Sequence, residues 1–99
     1  MISLDEVEGF EWDNGNLLKS LLKHGVAVRE AEEVFLNEPL LLEDLQHSQV
    51  EPRLHALGET HSGRPLHVSF TLRGEGKLIR VISVRPMSRK ERNRYGQQT

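Results

Sequence analysis

Leu66, Val68, Phe70 and Leu72 alternate with His67, Ser69, Thr71 and Arg73. A run of that length at period two reads as a strand with one apolar face. It constrains the chain more than any other segment, because everything else must cover that face. Gly74-Glu75-Gly76 supplies a hairpin connection to a further strand over Lys77–Val84. There Leu78, Ile79, Val81, Ile82 and Val84 place apolar residues on both faces, which predicts a central strand covered on both sides. Upstream, Leu40-Leu41-Leu42 opens a strand ending near Gln46, and Arg53–Gly58 forms another. Thr60 to Gly63 supply the turn that follows.

Before residue 40 the period is helical. Asp13 is a suitable N-cap for a helix over Asn14–Lys23, with Leu17, Leu18, Leu21 and Leu22 as its apolar face. Lys19 and Lys23 suit its negative end, and Gly25 a left-handed stop. A second helix is predicted over Val28–Leu36, with Ala31, Val34 and Phe35 buried and Glu30, Glu32 and Glu33 in water. Pro39 prevents its continuation. Phe10 and Trp12 alternate with Glu11 and Asp13, as in a brief strand or an anchored edge segment. Ser88-x-x-Glu91 has capping-box spacing and opens a basic C-terminal helix. The expected architecture is a single α+β domain over residues 1–99. Two N-terminal helices pack on a four-stranded antiparallel sheet, and a basic helix closes the chain. Residues 1–9 form an acidic lead-in and 96–99 a flexible tail.

Charge divides the chain in two. Residues 1–51 carry twelve acids and three Lys/Arg; residues 52–99 carry ten Lys/Arg and three acids. Between Arg80 and Arg94 six Lys/Arg stand against Glu91 alone. Such a density of positive charge attracts phosphate or carboxylate. The 99 residues contain no cysteine, which removes disulfides and thiolate metal sites and fits a reducing, cytoplasmic setting. No window is long and apolar enough to span a membrane, and the acidic start does not resemble a signal peptide. His55, His61 and His67 lack metal-ligand spacing, so neither metal nor cofactor is expected.

Phe10-Glu11-Trp12-Asp13, Lys23-His24-Gly25-Val26, Glu30-Ala31 and Val34-Phe35 occur in that order. They are followed by His47-Ser48-x-x-Glu51-x-Arg53, Gly58, Gly63-Arg64, Arg73, Arg80-x-Ile82-Ser83-x-Arg85, Glu91 and Tyr95. Singly these motifs are weak. As an ordered set over residues 10–95 they resemble the BrnT-type toxins of type II toxin–antitoxin systems. The chain departs from that pattern at Asn16, Ser20, Ala27, Leu54 and Met87. The resemblance implies a compact fold related to the RelE ribonucleases, RNA cleavage that inhibits translation, and a BrnA-like antitoxin partner. DNA would be reached only through that antitoxin, since no helix-turn-helix or ribbon motif is evident.

RNA is cleaved without a metal when the ribose 2′-OH attacks the adjacent phosphate, one group taking its proton and another protonating the leaving 5′ oxygen. Arginines aimed at the phosphorane give the largest electrostatic help. The candidate catalytic residues are His47, Arg53, Arg80, Arg85 and Tyr95: Arg80 and Arg85 at phosphate oxygens, His47 as acid or base, and Arg53 or Tyr95 in support. Lys23, His24, Arg64, Arg73, Arg89, Lys90 and Arg92 are candidate RNA or phosphate contacts. Positions 80 and 85 are an odd number apart, so an ideal strand points them to opposite faces. Both serve one site only if the strand bends or bulges before Pro86; otherwise one of them has another role. The competing reading is an interaction module that binds its antitoxin through the basic face without nuclease activity.

Overall fold

The computed structural model describes residues 3–44, 46 and 51–97. The order of elements is β1 (Gly9–Trp12), α1 (Asn14–His24), α2 (Val28–Leu36), β2 (Leu40–Asp44), β3 (Arg53–Glu59), β4 (Pro65–Arg73), β5 (Leu78–Pro86) and α3 (Arg89–Gly96). The strands form one sheet in the order β1-β5-β4-β3-β2. The antiparallel meander β2 to β5 matches the predicted four strands. The sheet is nevertheless five-stranded and mixed, because β1 adds to it in parallel, with Gly9 opposite Leu78 and Trp12 opposite Val81. This corrects the expected all-antiparallel sheet. The central strand is β4, not β5.

The core lies between one face of this sheet and α2. Val68, Phe70, Val81 and Val84 are fully buried there, with Ala31 and Val34 of α2 and Ala56 of β3. Phe35 of α2 meets Phe70 edge-on at 5.0 Å between ring centroids and Phe10 of β1 at 5.6 Å. Such tilted pairs stabilise beyond their buried area. Gly58 permits the close approach of α2 to β3: an added Cβ would stand 2.9 Å from Val34 Cγ1. Trp12 packs against the same core, and its indole N–H donates to Glu32 of α2 at 3.1 Å.

A bulge explains why β5 looked two-faced. Ser69 pairs with Ser83, but Phe70 pairs with Val81, so Ile82 is an extra residue on β5. Such an insertion reverses the inside–outside parity of everything beyond it. Ile79, Val81 and Val84 all face the core despite their odd spacing. By the same shift, Arg80 and Arg85 both fall on the opposite face, opposite Thr71 and His67.

α1 corrects a second expectation. Among its described side chains the buried one is Ser20, 7% exposed, whereas Leu18, Leu21 and Leu22 are 56%, 48% and 76% exposed. The predicted core stripe is therefore an outward stripe at those three positions. Gly25, at φ +63°, ends the helix, its N–H on the Leu21 carbonyl at 2.9 Å. Val26 then enters the core.

Candidate nucleic-acid interface

The face of the sheet away from α2 is polar by strand alternation. It carries Asp44 on β2, Arg53 and His55 on β3, His67, Ser69 and Thr71 on β4, and Arg80 and Arg85 on β5. β1 ends opposite Val81, so among the described residues no strand pairs with residues 82–86 of β5 on that side; α1 lies beside them. A groove of about 390 Å³ opens there, lined by Lys19, Ser20, Lys23, His24, Arg53, Ile82, Ser83, Val84 and Arg85. Five of these bear or can acquire positive charge, and none of the described residues lining it is an acid. Low-dielectric walls of one sign concentrate the field on an anion.

The groove thus unites Lys23, His24, Arg53 and Arg85 from three places in the sequence. His47, the proposed acid or base, lies outside the described residues. Arg80 is not in the groove. Its Nη1 donates to Glu11 Oε1 at 2.7 Å, directly opposite in the β1–β5 ladder, and its Nη2 stands 3.5 Å from Asp13 Oδ2. Tyr95 lies elsewhere as well. Burial first, then the charges of Glu59 and Glu38, push its hydroxyl up.

The other predicted contacts divide by what holds them. Arg64 braces the α1–α2 turn, donating to the carbonyls of His24 (2.9 Å) and Gly25 (3.1 Å) and to Glu30 (3.1 Å). Arg73 pairs with Glu51 at 2.9 Å. Arg92 donates to the Met87 carbonyl at 3.2 Å. Arg89 and Lys90 are exposed on α3.

α3 is held by polar contacts, for none of its residues is buried. Ser88 Oγ accepts from the Glu91 N–H at 3.2 Å, and Glu91 Oε1 accepts from the Ser88 N–H at 2.9 Å, which completes the predicted capping box. Glu91 also receives both arms of Arg85, each at 2.8 Å. Arg85 beside it, aided by the Ser88 N–H and by His67, holds the Glu91 carboxyl well below the usual carboxylate range, although burial opposes this. Glu91 in turn raises Arg85.

Four residues that the sequence did not single out for this chemistry join Arg85 and Glu91. His67 Nδ1 lies 2.7 Å from Glu91 Oε2 and 3.0 Å from Arg85 Nη2. His67 Nε2 lies 2.9 Å from His55 Nδ1, and His55 Nε2 lies 2.9 Å from Asp44 Oδ2. Ser69 Oγ is also 2.9 Å from His55 Nδ1. Burial is the main cause that lowers His67. Lys19 is a further unforeseen member of the groove. The legible signal was parity: His55 and His67 occupy polar-face positions of adjacent strands. No group of three or more His, Asp or Glu suited to a metal occurs among the described residues.

Residues 12–91 match the family described as ribonuclease toxin, BrnT, of type II toxin-antitoxin system. No curated protein matches the chain. Among solved structures, the crystal structure of the Brucella abortus ribonuclease toxin, BrnT, is similar, with a TM-score of 0.66 and 25% sequence identity. The likeness covers 84% of this chain and 100% of that one.

Proposed function

From the premise that this chain belongs to the BrnT family of type II toxin–antitoxin ribonuclease toxins, we propose that it is an endoribonuclease that binds RNA in the groove beside β5. The observation that carries this reading is the acid-free groove in which Lys19, Lys23, His24, Arg53 and Arg85 converge. Lysines along one wall suit the phosphate backbone. Arg53 and Arg85 both line the groove, and two guanidinium groups brought to one phosphate would share the charge of a phosphorane. His24 is the groove's imidazole, and His47 belongs to the segment that leads into β3. Either supplies the proton transfer that 2′-OH attack requires. The reaction needs no metal in this scheme. An antitoxin of the BrnA kind would neutralise the chain in the cytoplasm.

The direct test is incubation of the purified protein with single-stranded RNA in EDTA. Cleavage to products with cyclic phosphate ends is expected. Arg53→Ala and Arg85→Ala should each lower the rate by about 10²–10³-fold, the usual scale for a lost oxyanion-type donor. Undiminished cleavage by both variants would place the chemistry elsewhere.

A second reading has its own support. Arg80 and Arg85 already hold carboxylates, and α1 presents a leucine stripe to solvent. A module that only binds an antitoxin would show both features. Harmless expression of the wild-type chain, together with loss of antitoxin binding in Leu18→Glu or Leu22→Glu, would favour it over the nuclease.

A further inference from the structure

Resting on the nuclease reading above, we propose that His67 is a proton-controlled positioning residue for Arg85: neutral, it helps Glu91 keep the guanidinium drawn back; protonated, it releases Arg85 toward the groove. Hydrogen-bond accounting carries the argument. A chain of contacts runs across the sheet from Asp44 through His55 and His67 to Arg85 and Glu91. Asp44 accepts only, so His55 Nε2 carries a proton toward it. His55 Nδ1 is then a lone pair in the neutral ring and accepts from His67 Nε2–H. His67 Nδ1 is in turn a lone pair and accepts from Arg85 Nη2–H at 3.0 Å. Every nitrogen between Asp44 and Arg85 is thereby matched, with both rings neutral.

One contact does not fit that state. Glu91 Oε2 stands 2.7 Å from the same His67 Nδ1, acceptor against acceptor. A proton taken from solvent at Nδ1 turns this contact into a charged hydrogen bond. It also sets an N–H against Arg85 Nη2, donor against donor, and adds a positive charge beside the guanidinium. Glu91 Oε2 then has two cations competing for it. Arg85 is the mobile competitor: its side chain is 42% exposed and lines the groove, whereas Glu91 is tied to the Ser88 cap. Protonation therefore shifts Arg85 from holding α3 toward holding a phosphate.

Each packed element contributes to the balance. β2 offers Asp44, β3 His55, β5 Arg85, and α3 Glu91 with Lys90 and Arg94 on the rim of the same cleft. Burial of the ring favours the neutral form and outweighs the hydrogen bond and charge of Glu91, which favour the charged one; the neighbouring charge of Arg85 adds to the neutral side.

Nitrogen-detected NMR of the imidazole and guanidinium groups tests this on the protein alone, without reference to nuclease activity. At pH 7.5 His67 Nδ1 should show the shift of an unprotonated nitrogen. As the pH falls toward 5.5 the Arg85 Nη resonances should move with the same midpoint. His67→Asn presents a side-chain oxygen near the Nδ1 position but cannot titrate, so the Arg85 response should vanish in it. Binding of a 2′-O-methyl RNA, which resists cleavage, provides the functional arm. Between pH 7.5 and 5.5 the wild type should gain roughly tenfold more affinity than His67→Asn, the scale of one charged hydrogen bond. A proton already on Nδ1 at pH 7.5, or identical Arg85 titration in both proteins, would overturn the proposal. Failure of both proteins to bind RNA at any pH, with the NMR coupling intact, would instead count against the nuclease reading.

Discussion

α1 and α2 carry similar patterns of apolar residues and use them in opposite ways. α2 turns Ala31 and Val34 into the core and packs Phe35 against Phe70. α1 buries Ser20 and shows Leu18, Leu21 and Leu22 to solvent. Helical periodicity records that a stripe exists, not which way it faces. Inward stripes build folds. Outward ones leave apolar surface in water. α3 extends the contrast, for it has no buried residue at all and is attached through the Glu91 carboxylate.

The contrast would break most visibly at Phe70. Phe70→Ala removes the fully buried ring against which α2 is set and should cost about 3–5 kcal/mol, read by denaturant unfolding. Acid should release α3 next. The folded-state pKa of Glu91 is depressed from its ordinary value of 4.5. Its contribution is therefore fully present above pH 4.5 and is lost as the pH falls below it. The loss should reach on the order of 2–3 kcal/mol and be absent in Glu91→Gln, as seen by amide exchange of the C-terminal helix.

A smaller effect is expected at the start of α2. Ala27 stands at the N-cap in extended geometry and gives no side-chain acceptor; only Glu30, accepting from the Ala27 N–H at 3.1 Å, caps this end. Ala27→Ser should stabilise the protein by roughly 0.5–2 kcal/mol, and no rise in Tm would contradict this helix start. The smallest change is expected on α1. Leu22→Ser should alter stability by less than about 0.5 kcal/mol. A loss of several kcal/mol there would show that the leucines support the fold after all.

The parts read from sequence were those fixed by local chemistry. Alternation placed β4, the Ser88–Glu91 spacing placed α3, and Pro39 ended α2. The parallel β1–β5 pairing escaped because its partners are about seventy residues apart and no turn links them. The bulge was legible only as a condition for Arg80 and Arg85 to share a face; its place escaped because apolar residues at 79, 81, 82 and 84 look the same whether a strand is covered on both sides or slips by one. The histidine pair escaped for a related reason. His55 lies opposite Ser69 and His67 opposite Leu57, so the rings meet on the diagonal of the β3–β4 ladder. Only the hairpin register reveals that. Lys23, His24, Arg53 and Arg85 were singled out by charge, and the fold brings them to one groove. Arg64 and Arg80, chosen on the same grounds, are bound to Glu30 and Glu11.

The extra residue at Ile82 has a consequence for how this strand tolerates change. Substitution there leaves the count of residues intact. Deletion would close the bulge and set Ser83 directly after Val81, so that Val84 would still face the core and Arg85 the opposite face. A missing codon at this point would therefore spare the facing of every later side chain, because the residue it removes is the one that the ladder leaves unpaired.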